Sequence, residues 1–123
     1  MNIRTQAMQA YSSAATPTRT ERDREYEAVA KITHRLRAEA DRTPVDFPAL
    51  AEALHDNKKL WQIFATDVSD AANPLPQDLK ARIFYLAEFT HQHTSEVLAR
   101  RGDVAPLLDI NTAVMRGLRG GAA

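Results

Sequence analysis

Two proline-marked boundaries enclose the stretch that leaves this chain least freedom: Asp46-Phe47-Pro48 opens it and Asn73-Pro74-Leu75-Pro76 closes it. Between them, at 100° per residue, Phe47, Leu50, Ala51, Leu54, Trp61, Ala65 and Val68 fall on one stripe, the pattern of an amphipathic helix laid on a core. Asp46 can accept a hydrogen bond from the first free backbone N–H groups, and Pro48 sits where a missing N–H costs no intrahelical bond. At the other end each proline disfavours helical conformation in the residue before it, so the helix is predicted to end by Asn73. Leu60 and Phe64 lie beside the stripe and Ile63 points nearly opposite, which calls for more than one packing neighbour. Lys58 lies inside the stripe and Asn57 at its edge. The expectation is that Lys58 snorkels and Asn57 caps a neighbouring backbone group; the competing reading is a contact surface for a partner helix.

Other helical patterns flank this one. Ile3, Ala7, Met8 and Tyr11 recur at near-helical spacing before the small polar run Ser12 to Pro17, so residues 1–19 read as a short extra helix or a loosely docked arm. A second pattern is predicted from about Thr20 to Ala40, with Thr20 and Asp23 as a capping pair, Tyr26, Val29, Thr33, Leu36 and Ala40 inside, and Glu27, Lys31 and Arg35 on a solvated face. After Pro76, Leu79, Ile83, Leu86, Thr90, His93 and Val97 share one face, while Phe84, Ala87, His91 and Leu98 form a narrower strip on another. Gly102 is expected to end that helix in a left-handed cap. The last pattern, Val104 to Leu118, places Leu107, Ile110, Val114 and Leu118 on one stripe with Leu108 and Met115 beside it. Asn111 lies within that stripe and is expected to be a satisfied hydrogen-bonding group that fixes register. Residues 119–123 read as a flexible tail. No alternating β-branched run of strand length occurs. The predicted fold is all-α: one small single-domain bundle of four main helices spanning residues 1–123.

The function classes narrow next. Sixteen Lys and Arg balance sixteen Asp and Glu, so no net field attracts a polyanion, and composition gives direct nucleic-acid or membrane-surface binding no support. Without cysteine there is no disulfide, thiolate nucleophile or cysteine-ligated zinc, which fits a cytoplasmic protein. No segment has the composition of a secretory signal or a membrane span. His91 and His93, two apart on a helix, point about 200° from one another and cannot close on one ion. No phosphate-binding loop, nucleophile elbow or HExxH pattern appears, and no carboxylate pair is singled out. The expectation is a non-enzymatic protein with no catalytic residue, metal or cofactor.

Three blocks, in order, carry a resemblance: ALHDNKKLW (Ala53 to Trp61), NPLPQDLKARI (Asn73 to Ile83) and PLLDINTAVMRGL (Pro106 to Leu118), with Ala10-Tyr11 and Arg24-Glu25-Tyr26 ahead of them. Together they resemble the FlaF family of alphaproteobacterial flagellar biosynthesis regulators over nearly the whole chain. The positions that match are Asn57, Leu60, Trp61, Leu75, Pro76, Leu79, Pro106, Leu107, Asp109, Ile110, Asn111, Met115, Gly117 and Leu118. The resemblance implies a small cytoplasmic protein needed for flagellin production and export, acting on flagellin and alongside the FlbT regulator. Two expectations follow. One is a secretion chaperone that sheathes a flagellin helix in a groove; the other is a post-transcriptional regulator of flagellin mRNA translation, acting directly or through FlbT. Because a residue facing away from the core stripe has least structural reason to be apolar, Ile63, Phe64, Phe84, Leu108 and Met115 are the candidate flagellin contacts.

Overall fold

The computed structural model describes residues 23–119, in which four helices follow one another with no strand among the described residues. Helix α1 covers 23–41, α2 Phe47–Ser69, α3 Gln77–Leu98 and α4 Ala105–Arg119. This is the all-α single-domain bundle that the periodicities predict. The N-terminal arm lies outside the described residues. So does the tail beyond Arg119, a residue that closes α4 instead of starting the tail.

Leu36 of α1, Leu50, Ala53 and Leu54 of α2, Val97 of α3 and Leu107 of α4 meet with Val104 in one buried cluster, against which Ala40 and Leu108 pack. Full burial of a side chain of this kind is worth about 1.5–3 kcal/mol, so this cluster is the main apolar anchor of the bundle. Arg24, Val68, Ile83 and Val114, from the same four helices, line a groove elsewhere. Consequently α2 and α4 run from the cluster toward the groove, and α1 and α3 run the opposite way. One end of the bundle is filled and the other holds a groove.

The helix ends follow local chemistry, and one differs from expectation. Asp46 caps α2 as predicted, its Oδ1 accepting from the Ala49 N–H at 3.2 Å. At the other end α2 stops at Ser69, four residues before Asn73. Asp70 is extended at φ −74° and ψ 126°, and its Oδ1 accepts from the Ala72 N–H at 2.9 Å. Asn73 then donates from Nδ2 to the Asp67 carbonyl at 3.0 Å and accepts the Leu75 N–H on Oδ1 at 3.0 Å. Asp and Asn side chains here offer the backbone partners outside the helix, so the chain leaves it before the prolines compel it to.

Gly102 is not the left-handed cap of α3. That conformation belongs to Arg100, with φ 62°. The Arg101 N–H bonds to the Glu96 carbonyl at 2.8 Å and the Arg100 N–H to the Val97 carbonyl at 2.9 Å, the paired bonds of a Schellman motif two residues earlier than expected. The Arg100 guanidinium sits 4.5 Å above the Phe47 ring, an attraction between α3's cap and α2's first turn that offsets part of the left-handed penalty. Gly102 answers a different need. A Cβ there would lie 3.1 Å from the Glu96 Cβ and 3.3 Å from His93 Cε1, so glycine permits the chain to fold back tightly on α3. His93 ties the same return: its ring stacks on Phe89 at 5.3 Å, and its Nε2 lies 2.6 Å from the Asp103 carbonyl, which can only accept, so that nitrogen carries the proton.

Candidate functional site

Between the filled end and the groove lies a layer of polar side chains contributed by all four helices. Asn111 of α4 is fully buried and is the centre of the bonding. Its Oδ1 accepts from the Trp61 indole N–H at 2.9 Å, and its Nδ2 donates to Thr33 Oγ1 at 3.0 Å and to Asn57 Oδ1 at 2.7 Å. On α3, Thr90 and Thr94 are buried as well, and the Thr94 hydroxyl donates to the Thr90 carbonyl at 2.6 Å. Asn57 therefore does not cap a neighbouring backbone group; its partner is the Asn111 amide. Buried amides are costly unless bonded, and an amide on α4 bonded to both α1 and α2 fits only one axial register.

Trp61 joins this layer to the groove. Its indole N–H faces Asn111, while its ring meets Phe64 edge to face, with centroids 5.3 Å apart at 86°. Together with Phe64, Val68, Leu75, Ile83 and Val114 it gives an apolar lining to a groove of about 620 Å³. Among the described residues, Glu25, Asp67, Asp70 and Arg24 are the charged members of the lining. The groove thus has an apolar lining, and among its described charged residues carboxylates outnumber guanidinium groups.

The five candidate contacts scatter over this frame. Phe64 lines the groove. Ile63 at 57 % and Phe84 at 45 % exposure are open to solvent but lie outside the lining. Met115 is half-buried next to Val114, and Leu108 packs on the core cluster, which gives Leu108 a structural reason to be apolar. Of the family-like positions, Asn57, Leu60, Trp61, Leu107 and Asn111 are buried, Pro106, Ile110 and Met115 half-buried, and Leu75, Pro76, Leu79, Asp109 and Gly117 exposed. The Leu118 side chain lies outside what is described. Lys58 is half-buried, as a snorkelling lysine would be. Sequence reasoning missed Tyr85, 67 % exposed, and did not assemble the groove, whose lining comes from four helices and one loop. Among the described residues no three His, Asp or Glu side chains gather as a metal ion would require, and no helix is long and apolar enough to cross a membrane.

The fold and site define a class: a small four-helix bundle, pinned by an internal polar layer, with an apolar groove at one end. The chain belongs to the FlaF family, whose model, described as flagellar protein FlaF, matches residues 7–118. Membership places it among flagellar proteins and is consistent with a role in flagellar biogenesis. No curated protein and no solved structure matches the chain.

Proposed function

We propose that this protein is a non-enzymatic cytoplasmic assembly factor that binds flagellin as a secretion chaperone, holding one of its helical segments in the groove and so supporting flagellin synthesis and export. The observation that carries the reading is the groove itself, with an aromatic and aliphatic lining from Trp61, Phe64, Val68, Leu75, Ile83 and Val114. An amphipathic helix laid into such a groove buries its apolar face at positions one turn apart, the usual way a helix is recognised without chemistry. Phe84, Tyr85 and Ile63 are further exposed apolar or aromatic side chains outside the groove lining. Formal charge balance over the whole chain favours a protein partner over RNA, whose phosphates need clustered Lys or Arg.

The test is binding of purified monomeric flagellin to the wild-type chain, to Leu75→Asp in the groove and to Phe84→Asp beside it. Both positions are exposed, so helical circular dichroism should be retained. Leu75→Asp is expected to weaken flagellin binding at least tenfold and Phe84→Asp by less. Wild-type affinity in both variants would remove flagellin from the groove.

A further inference from the structure

We propose that, when no partner is bound, the groove is occupied by the chain's own N-terminal segment, residues 3–11, so that the protein carries its own competitor for the site. The inference starts from where the described chain begins. Arg24 and Glu25, in the first described turn of α1, line the groove, so the point at which the preceding chain joins α1 lies beside it. Ser12 to Arg22, fully extended, spans about 36 Å, roughly the diameter of a small domain, so residues 3–11 can reach any part of the groove.

The segment has the right chemistry for that surface. Ile3, Ala7, Met8 and Tyr11 fall at i, i+4, i+5 and i+8, which puts an isoleucine, a methionine and an aromatic ring on one face if the segment is helical. Methionine adapts to irregular apolar surfaces, and tyrosine can leave its hydroxyl at the rim. Charge agrees with shape. From Met1 to Thr20 the sequence has Arg4 and Arg19 and no carboxylate, while among the described lining residues carboxylates outnumber guanidinium groups. The family match starts at residue 7, so most of this segment belongs to the family's common chain and is not an appended extension.

Tethering makes a weak ligand sufficient. A short linker holds its segment at an effective concentration on the order of millimolar, so intrinsic affinity of similar size already half-fills the groove. A partner helix would then bind with its affinity reduced by the fraction of grooves left open. That regulatory consequence rests on the flagellin reading; the occupancy itself does not.

The native chain has no cysteine, which permits a direct test on the full-length protein without flagellin. Met8→Cys is combined with Thr66→Cys or Leu75→Cys at the groove, or with Ser95→Cys, an exposed position toward the filled end of α3 as control. Under mild oxidation at least one groove pair should form its intramolecular disulfide ten times faster than the control. Equal rates for all three pairs would overturn the proposal, and so would disulfides that form only between molecules, which would assign the groove to a second copy. If the groove pairs close and flagellin still fails to bind, the flagellin reading fails alone. If flagellin binds and the groove pairs do not close, self-occupancy fails alone.

Discussion

The indole N–H of Trp61 donates to Oδ1 of Asn111 across 2.9 Å, linking two residues fifty positions apart in a fully buried setting. Through the same amide group Asn111 also donates to Thr33 Oγ1 and Asn57 Oδ1, so one side chain ties α1 and α2 to α4, while Asn57 Nδ2 stays buried without a partner. Asn111→Leu keeps the approximate volume and deletes all three bonds. It leaves the Trp61 N–H and the Asn57 carbonyl oxygen buried without partners, at about 1–3 kcal/mol each. The expected loss is therefore roughly 2–6 kcal/mol in urea unfolding, a large part of the stability of a domain this size. A loss under 1 kcal/mol would mean that the layer relaxes easily and does not pin the bundle.

Two glycines should respond in opposite directions to the same substitution. Gly102→Ala puts a Cβ 3.1 Å from the Glu96 Cβ, which is fixed to the α3 backbone and cannot swing aside, so a loss of about 1 kcal/mol or more is expected. Gly117 lies inside α4, and an added Cβ meets nothing within 4 Å. Gly117→Ala should therefore stabilise by about 0.5–1 kcal/mol through helix propensity alone. Thermal unfolding of the two variants side by side checks the pair, and two shifts of the same sign would contradict it.

The same contrast marks what the sequence made legible. Helix type, order and the main stripe follow from periodicity, which is a local property, and so does the Asp46 cap. Asn57 and Asn111 could each be recognised as polar groups on an apolar stripe, but that they bond to each other depends on how the bundle sets α2 and α4 across its core, and spacing of 54 residues in sequence carries no such information. Because glycine adopts the left-handed conformation freely, the sequence points to Gly102 for it. Arg100 takes it instead, since the Schellman bonds to Glu96 and Val97 and the Phe47 ring beneath its guanidinium outweigh the penalty there. The groove was least legible, since a concave surface is made by how helix ends diverge, and no single helix carries its pattern.

Acid should weaken one surface contact in a defined direction. The Glu96 carboxylate accepts from Arg101 Nε at 3.1 Å, and that hydrogen bond, followed by the charge attraction of the same guanidinium, lowers its pKa from the ordinary carboxylate value. A folded-state pKa below the unfolded one gives a contribution that is complete above the ordinary carboxylate range and disappears as pH falls through the lower folded value. Glu96→Gln should thus be less stable than wild type near neutral pH, with the gap closing on acidification below that range. Both side chains are solvent-exposed, so the gap should also shrink with added salt. A gap that widens toward acid would reverse the sign and refute the assignment.

Helix α3 is packed with an inversion that yields the last prediction. It buries Ala87, Thr90, Thr94 and Val97, small or polar side chains, while Phe84, Tyr85 and Leu98 stay exposed. Moreover, the Thr90 hydroxyl is buried and has no hydrogen-bond partner. Valine has nearly the shape of threonine without that hydroxyl, so Thr90→Val removes an unpaired polar atom and leaves no cavity. It should stabilise the fold by about 1–2 kcal/mol. Thr94→Val is the paired comparison, because the Thr94 hydroxyl does donate to the Thr90 carbonyl, and its removal should be close to neutral or mildly destabilising. Denaturant midpoints give the ranking, and slower amide exchange along α3 in Thr90→Val would place the gain on that helix. Were Thr90→Val the more damaging of the two, the hydroxyl must be bonded in solution, and α3 would be held by a polar contact to its neighbours as well as by its apolar packing.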